Sequence, residues 1–348
     1  MIYQGVVIDC FAYAMPPETV SSDAIEAQLA PVYERLRLPA GRLELMSGIR
    51  ERRLWAPGTM PSQAAVLAGR EALRRMSVSK ADIGCLINCS VCRDFLEPAT
   101  ATVVHQQLGL PENALVFDIS NACLGILTGM VMLAGMIGTG RIRAGMLVAG
   151  ENSRALMEST IRGMLNDPTI SRQSIKPLFA SLTIGSGAVA VVMSHQDLCP
   201  SGHRLHCEAT LAATSYNHLC RGNADKGMSD GSDTLMNTDS EALLLAGVDT
   251  AKKTWDEFNR ETGLTGDDFA CICTHQVGTA HKRLLFERLG LDLSKDFSNL
   301  AYMGNVGSVS CPLAVAMAEE AGKLKRGDFL AMLGIGSGIN CTMLGVEW

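Results

Sequence analysis

Twice along its length the chain runs strand, helix, strand, helix, strand, and each run closes on a Gly-Ser-Gly turn leading into an apolar strand. Gly185-Ser186-Gly187 opens Ala188 to Ser194, and Gly336-Ser337-Gly338 loosely matches it ahead of Ile339 to Val346. Strands and helices alternating at this spacing imply α/β layers with mixed sheets. The repeated order points to an internal duplication. Residues 195 to 203 (His195, Pro200, Ser201, Gly202) read as a linker, which divides the chain into halves at 1–195 and 204–348. With 348 residues, 47% hydrophobic and only 19% charged, such a chain buries a large core and is not disordered.

The spacing predicts strands at Val6 to Phe11, Ile83 to Ser90, Leu115 to Phe117 and Gly145 to Glu151, with helices between them at Ala24 to Leu36, Ser62 to Met76, Pro98 to Leu108 and Leu124 to Ile137. Pro39 to Gly48 reads as a break. Residues 153 to 180 form a polar excursion, a lid or dimer-contact region. In the second half, strands are expected at Leu205 to Thr214, Phe269 to His275 and Phe329 to Leu333. Helices are expected at Glu241 to Thr262, Ala280 to Leu289 and Cys311 to Lys323, with a long loop over 221 to 240.

The segment Asp118-Ile119-Ser120-Asn121-Ala122-Cys123-Leu124-Gly125 carries the chemistry. It places Cys123 where a strand passes into an apolar helix. Unpaired N–H groups at a helix start carry partial positive charge, which favours thiolate, the nucleophilic form. The plainer reading of a cysteine here is a small buried hydrophobe. His275 ends an apolar strand, where α/β folds place active-site groups; on position alone a structural histidine is the better reading. Asn305, in Gly304-Asn305-Val306-Gly307-Ser308, is an ordinary turn residue or an amide brought close to a ligand. Glu97, before Pro98, is either an acid at a helix start or a base with a raised pKa in an apolar pocket. A cysteine, a histidine and an asparagine can together build an acyl-transfer site.

Several classes are excluded or disfavoured. A net charge of −6 leaves no electrostatic footprint for nucleic acid. Cys271, Cys273 and His275 alternate on one strand, and Cys85, Cys89 and Cys92 lie close together, yet neither set has zinc-site spacing. No metal is expected. Twelve cysteines without a secretory leader point to reduced thiols in the cytoplasm. No apolar run is long and uncharged enough for a membrane span.

Together the Cys123 segment, Thr274-His275-Gln276 and Gly304-Asn305-Val306-Gly307 resemble the thiolase superfamily, in its ketoacyl synthase III-like condensing branch. Four more segments are similar to the olefin-biosynthesis thiolases within that branch. They are Ser90 to Pro98, Leu219-Cys220-Arg221-Gly222-Asn223, Leu333 to Cys341, and Gly48 to Trp55. The resemblance covers nearly the whole chain. It implies a duplicated five-layer αβαβα fold with mixed five-stranded sheets, a homodimer, and no cofactor beyond acyl-CoA as substrate. It implies that Cys123 accepts an acyl group and that His275 and Asn305 hold the carbonyl oxygen of the second substrate. The backbone N–H groups of Cys123 and Ser337 would form an oxyanion hole. Glu97 would reach the partner's site as the base of a non-decarboxylative Claisen condensation of two fatty acyl-CoAs, giving a 2-alkyl-3-keto acid or thioester. The alternative is a malonyl-dependent 3-oxoacyl synthase III or a polyketide or ester-forming relative, and an acyl carrier protein or downstream enzymes could be partners. Met46 and Arg42 stand where the ketoacyl synthases have an arginine and a tryptophan, so those CoA contacts do not carry over. Arg50, Arg53 and Arg221 are candidates for phosphate contact.

Overall fold

The computed structural model describes residues 1–222 and 236–348. Its first half contains β1 (Val6–Ala14), β2 (Glu18–Ser21), α1 (Ser22–Gln28), α2 (Ala30–Leu36), α3 (Arg42–Ser47), β3 (Glu51–Leu54), α4 (Pro61–Arg75), β4 (Ile83–Asn88), α5 (Thr100–Leu108), β5 (Leu115–Asp118), α6 (Gly125–Gly138), β6 (Ala144–Glu151), α7 (Arg154–Asn166), α8 (Lys176–Leu182) and β7 (Gly187–His195). The second contains β8 (His203–Ala212), β9 (Cys220–Gly222), β10 (Met236–Thr238), α9 (Ser240–Thr262), β11 (Phe269–Thr274), α10 (Thr279–Leu289), α11 (Leu300–Met303), α12 (Ser310–Glu320), β12 (Phe329–Gly336) and β13 (Asn340–Glu347).

One sheet runs β11-β12-β13-β8-β1-β7-β6-β4-β5. β4 is parallel to β5 and β6, and β11 is parallel to β12, so the C-terminal ends of these strands carry the loops that matter below. The halves join where β1 meets β8, through Val7 with Arg204 and Ile8 with His203. The first half supplies five strands and the second four. The fifth place, beside β11, is held by a single bridge from Ile272 to Asp296. Residues 292 to 299 (Asp-Leu-Ser-Lys-Asp-Phe-Ser-Asn) lack the β-branched run that would extend it.

The five expected layers follow from the cores. α6 and α12 share one core with both halves of the sheet, where Leu127, Met130, Leu133, Leu313 and Val315 meet Val191, Met332 and Leu344. Each fully buried leucine or methionine there contributes roughly 1.5–3 kcal/mol. α4 and α5 cover the outer face of the first half, and α9 and α10 that of the second. A separate core under α1, α2, α7 and α8 contains Ile25, Leu29, Met157, Ile161 and Phe179. The excursion at 153 to 180 is thus largely helical.

Local departures have local causes. The helix expected from Ala24 to Leu36 is two, because Pro31 lacks an N–H and its ring would crowd the Ala27 carbonyl. The break at 39 to 48 holds α3. Ser62 lies inside α4 rather than capping it; Gln63 Oε1 accepts from the Met60 N–H instead. α5 starts at Thr100, not Pro98. The Asp118 carboxylate accepts from the N–H groups of Thr100 and Ala101 at 2.9 and 2.8 Å and so caps it from the end of β5. Within 221 to 240, β9 and β10 pair as antiparallel strands. Asn223 and the loop's centre lie outside the described residues.

Candidate active site

Cys123 sits in a short 3₁₀ turn, Ala122–Leu124, between β5 and α6. Two features pin this turn. A Cβ on Gly125 would collide with the Cys89 carbonyl oxygen at the end of β4, so only glycine lets α6 start there. Ala122 takes φ 45°, a left-handed value uncommon for a residue with a Cβ. Strain of this kind collects at functional turns.

The second half comes to this turn through β12 and the loop after it. Gly334 and Gly336 face Leu124 so closely that a Cβ on either would press on its side chain. Asn340 Nδ2 donates to Asn121 Oδ1 at 2.9 Å, and Asn121 Nδ2 donates to Thr128 Oγ1 at 2.9 Å. These bonds fix the Ser337–Ile339 turn against the Cys123 turn. Nothing in the sequence marked Asn121 and Asn340 as partners, since they stand 219 residues apart.

His275 follows β11 directly. Its N–H donates to the Leu333 carbonyl at 2.9 Å, which sets it beside Gly334 and so on the same side as Cys123. Its side chain is 4% exposed, and Nδ1 is buried without a hydrogen-bond partner among the described residues. An unsatisfied buried nitrogen is costly unless a ligand completes it. Asn305 is held by its backbone: its N–H donates to the Thr183 carbonyl and its own carbonyl accepts from Gly185. Its Oδ1 accepts from the Gly307 N–H at 3.1 Å. The next turn, Gly307–Val309, packs on the Cys123 turn. The Cys123 turn, the stretch 334–336 that continues the strand bonded to His275, and the turn that follows Asn305 thus lie against one another.

Glu97 stands elsewhere. It is exposed at the end of a loop in which Val91, Phe95 and Leu96 are each about half exposed, and among the described residues no apolar pocket encloses it.

The electrostatics differ from the sequence expectation. Burial, then the nearby Glu151 carboxylate, pushes the Cys123 thiol up to about 12, against the helix-end field. Burial, then His281, holds His275 down to about 3. The resting pair is a neutral thiol and a neutral imidazole.

The phosphate candidates are dispersed. Arg50 is exposed; Arg53 is half-buried with Nη1 donating to the Pro16 carbonyl at 3.3 Å; Arg221 Nη2 donates to Asn217 Oδ1 at 3.0 Å. None of them lines the cationic cavity of about 200 Å³ between the α2–α3 region and α8, which is bounded by Arg37, Arg42, Arg172 and Lys176 with Leu38 and Phe179. Arg42 Nε in its wall is buried and makes no hydrogen bond among the described residues. Among those residues no group of three or more metal-ligating side chains assembles, and no helix is long and apolar enough to cross a membrane. All twelve cysteines are free.

Known proteins share this architecture. The family described as 3-oxoacyl-[acyl-carrier-protein] synthase III C terminal matches residues 260–348. A solved structure of Xanthomonas campestris OleA superposes with a TM-score of 0.94 at 36% identity, covering 100% of this chain and 98% of that one. Another, with bound lauric acid and lauroyl-CoA, gives 0.93 at 36% identity over 100% of both chains. The fold is thus that of the thiolase-like, ketoacyl synthase III-related condensing enzymes, which are acyltransferases. The acyl-CoA:acyl-CoA alkyltransferase of Shewanella oneidensis is 38% identical over 100% of both chains, and that of Xanthomonas campestris pv. campestris is 36% identical, again over 100% of both. A β-ketoacyl-[acyl-carrier-protein] synthase III of Desulfitobacterium hafniense is more distant, 27% identical over 87% of each chain. The chain belongs to the acyl-CoA:acyl-CoA alkyltransferase family.

Proposed function

We propose that this chain joins two fatty acyl-CoAs by non-decarboxylative Claisen condensation, with Cys123 as acyl carrier. The Cys123 sulfur attacks the first thioester; its proton leaves and protonates the departing CoA thiolate, and neutral His275 is placed to pass it on. The N–H groups of Cys123 and Ser337 receive the oxyanion. Glu97 removes an α-proton from the second acyl-CoA, whose carbonyl oxygen His275 and Asn305 hold as it becomes an enolate. The enolate carbon attacks the Cys123 thioester, the sulfur leaves as thiolate and is returned to thiol by a proton equivalent to the one Glu97 removed and now gives up, and a 2-alkyl-3-ketoacyl thioester results. These steps balance with acyl-CoA alone and call on no further cofactor.

Glu97 enters from a partner subunit in this reading, and the exposed apolar side chains of Val91, Phe95 and Leu96 form part of the dimer contact. Residues 1–195 and 204–348 act as two halves of one fold, the first carrying the nucleophile and the second the groups that hold carbonyl oxygen. An acyl-CoA substrate and the free cysteine thiols support a cytoplasmic location in this reading. The observation that carries the reaction type is a buried His275 whose Nδ1 has no hydrogen-bond partner among the described residues, in a chain with full-length similarity to acyl-CoA:acyl-CoA alkyltransferases.

Feeding lauroyl-CoA alone is expected to give a product containing two acyl chains and free CoA, read by mass spectrometry. Product formed only when malonyl-CoA is added would instead establish the decarboxylating alternative.

The cavity lined by Arg37, Arg42, Arg172 and Lys176 is where we place the CoA phosphates, since guanidinium groups suit phosphate. Arg42→Ala is expected to raise KM for lauroyl-CoA about tenfold, the effect of one charge-assisted contact. The N-acetylcysteamine thioester of the same acid, which has no phosphate, should show no such rise. An equal rise for both would move the phosphates elsewhere.

A further inference from the structure

We infer that Glu151 is a positioning residue for the condensation step, a single buried carboxylate that sets the segment leading to Glu97 against the turn following Asn305. It ends β6 and is 4% exposed. Oε1 accepts from the Val91 N–H at 2.9 Å, from Ser308 Oγ at 2.7 Å and from the Ser308 N–H at 3.3 Å. Oε2 accepts from the Cys92 N–H at 3.2 Å. These donors are a hydroxyl and backbone N–H groups, so the carboxylate is stabilised by hydrogen bonds alone in this set, and each such bond to an ionised group is stronger than a neutral one.

What it joins gives the role. Val91 and Cys92 open the loop that ends at Glu97. The same loop is tied again to β6, where the Gly150 N–H donates to Ser90 Oγ at 2.8 Å, and to α4, where Asp94 accepts from the Ser62 N–H at 2.9 Å. Ser308 stands three residues after Asn305, in the turn that packs on the Cys123 turn. That turn is shaped to approach Glu151: Gly307 has φ 55°, and a Cβ on it would lie 3.2 Å from Oε1. One side chain thus touches the turn after Asn305, which serves the chain's own site, and the loop that carries Glu97 toward the partner's, and none of its hydrogen bonds among the described residues is to the groups expected to receive the first acyl-CoA. Its charge is also the second cause, after burial, of the raised Cys123 thiol.

This inference rests on the proposed roles of Glu97 and Asn305, and its test separates the two. Cys123 acylation by lauroyl-CoA is read by intact mass, and condensation by product formation, in wild type, Glu151→Gln, Glu151→Asp and Ser308→Ala. Glu151→Gln keeps the shape but turns an acceptor into a donor facing N–H groups. It is expected to acylate and to condense about 10- to 100-fold more slowly, the scale of one or two hydrogen bonds to a charged group. Ser308→Ala, the milder change, should slow condensation about 3- to 10-fold. Glu151→Asp, which retains the charge, should fall between wild type and Glu151→Gln. The alkylation rate of Cys123 by iodoacetamide should rise at lower pH in Glu151→Gln than in wild type, which a purely structural loss does not produce. Acylation and condensation falling together in Glu151→Gln and in Ser308→Ala, with alkylation unshifted, would overturn the positioning role. A wild type that neither acylates nor condenses would instead overturn the proposed function.

Discussion

Cys123→Ala is expected to gain no mass from lauroyl-CoA, where the wild type gains one lauroyl group, and its condensation rate should fall by about 10³-fold or more, as for removal of any covalent nucleophile. The residue has no substitute. Cys89 is fully buried under Gly125 and Gly129, and Cys220, on β9, lies outside the Ala122–Leu124 turn. The chemistry of the thiol supplies a companion result. Because burial pushes it up to about 12, the thiolate fraction, and with it the rate of iodoacetamide alkylation, should climb about tenfold per pH unit from pH 7 to pH 10. A rate already level by pH 8 would mean that the helix-end field prevails over burial after all. Uptake of a lauroyl group by the alanine variant would remove Cys123 from the nucleophile's place.

The second large effect comes from mixing subunits. Glu97→Gln should acylate and then stall, so that neither it nor Cys123→Ala makes product alone. In hybrid dimers, an intact Cys123 from one subunit meets an intact Glu97 from the other. After random exchange half the dimers are hybrids with one working site of two, so activity should return to about a quarter of wild type. A base acting within its own chain would leave every mixture dead. The exposure of Glu97 and of Val91, Phe95 and Leu96 beside it is what motivates the crossing.

The elements that were legible in the sequence are those whose signal is local. The strand-to-helix passage at Cys123 and the strand ending at His275 stood out because an apolar run stops abruptly at a polar or reactive residue. The order of elements pointed to α/β layers with mixed sheets, and the five-layer arrangement came only from the family resemblance. Other features depend on long-range contact. Glu151 looked like the end of a strand, since its partners lie 60 and 157 residues away and are mostly backbone groups with no side-chain signature. The cationic cavity draws Arg37 and Arg42 from one excursion and Arg172 and Lys176 from another, so no cluster appeared in the chain. The thiol's protonation departs from the sequence expectation for a related reason: sequence places Cys123 at a helix start but does not give the depth of its surroundings, and depth decides the outcome.

The turns Ala122–Leu124 and Gly307–Val309 stand at matching places, each just before the central helix of its own half, and they touch. Copying a fold would ordinarily give two equal sites. On the proposed mechanism the copies divide the labour: one turn would present the sulfur that carries the acyl group, and its counterpart follows the amide that would steady the incoming one. Neither copy would then be a smaller enzyme, because each would own half of a single reaction centre. Loss of contact between the halves would therefore silence the chemistry before any reacting group was altered.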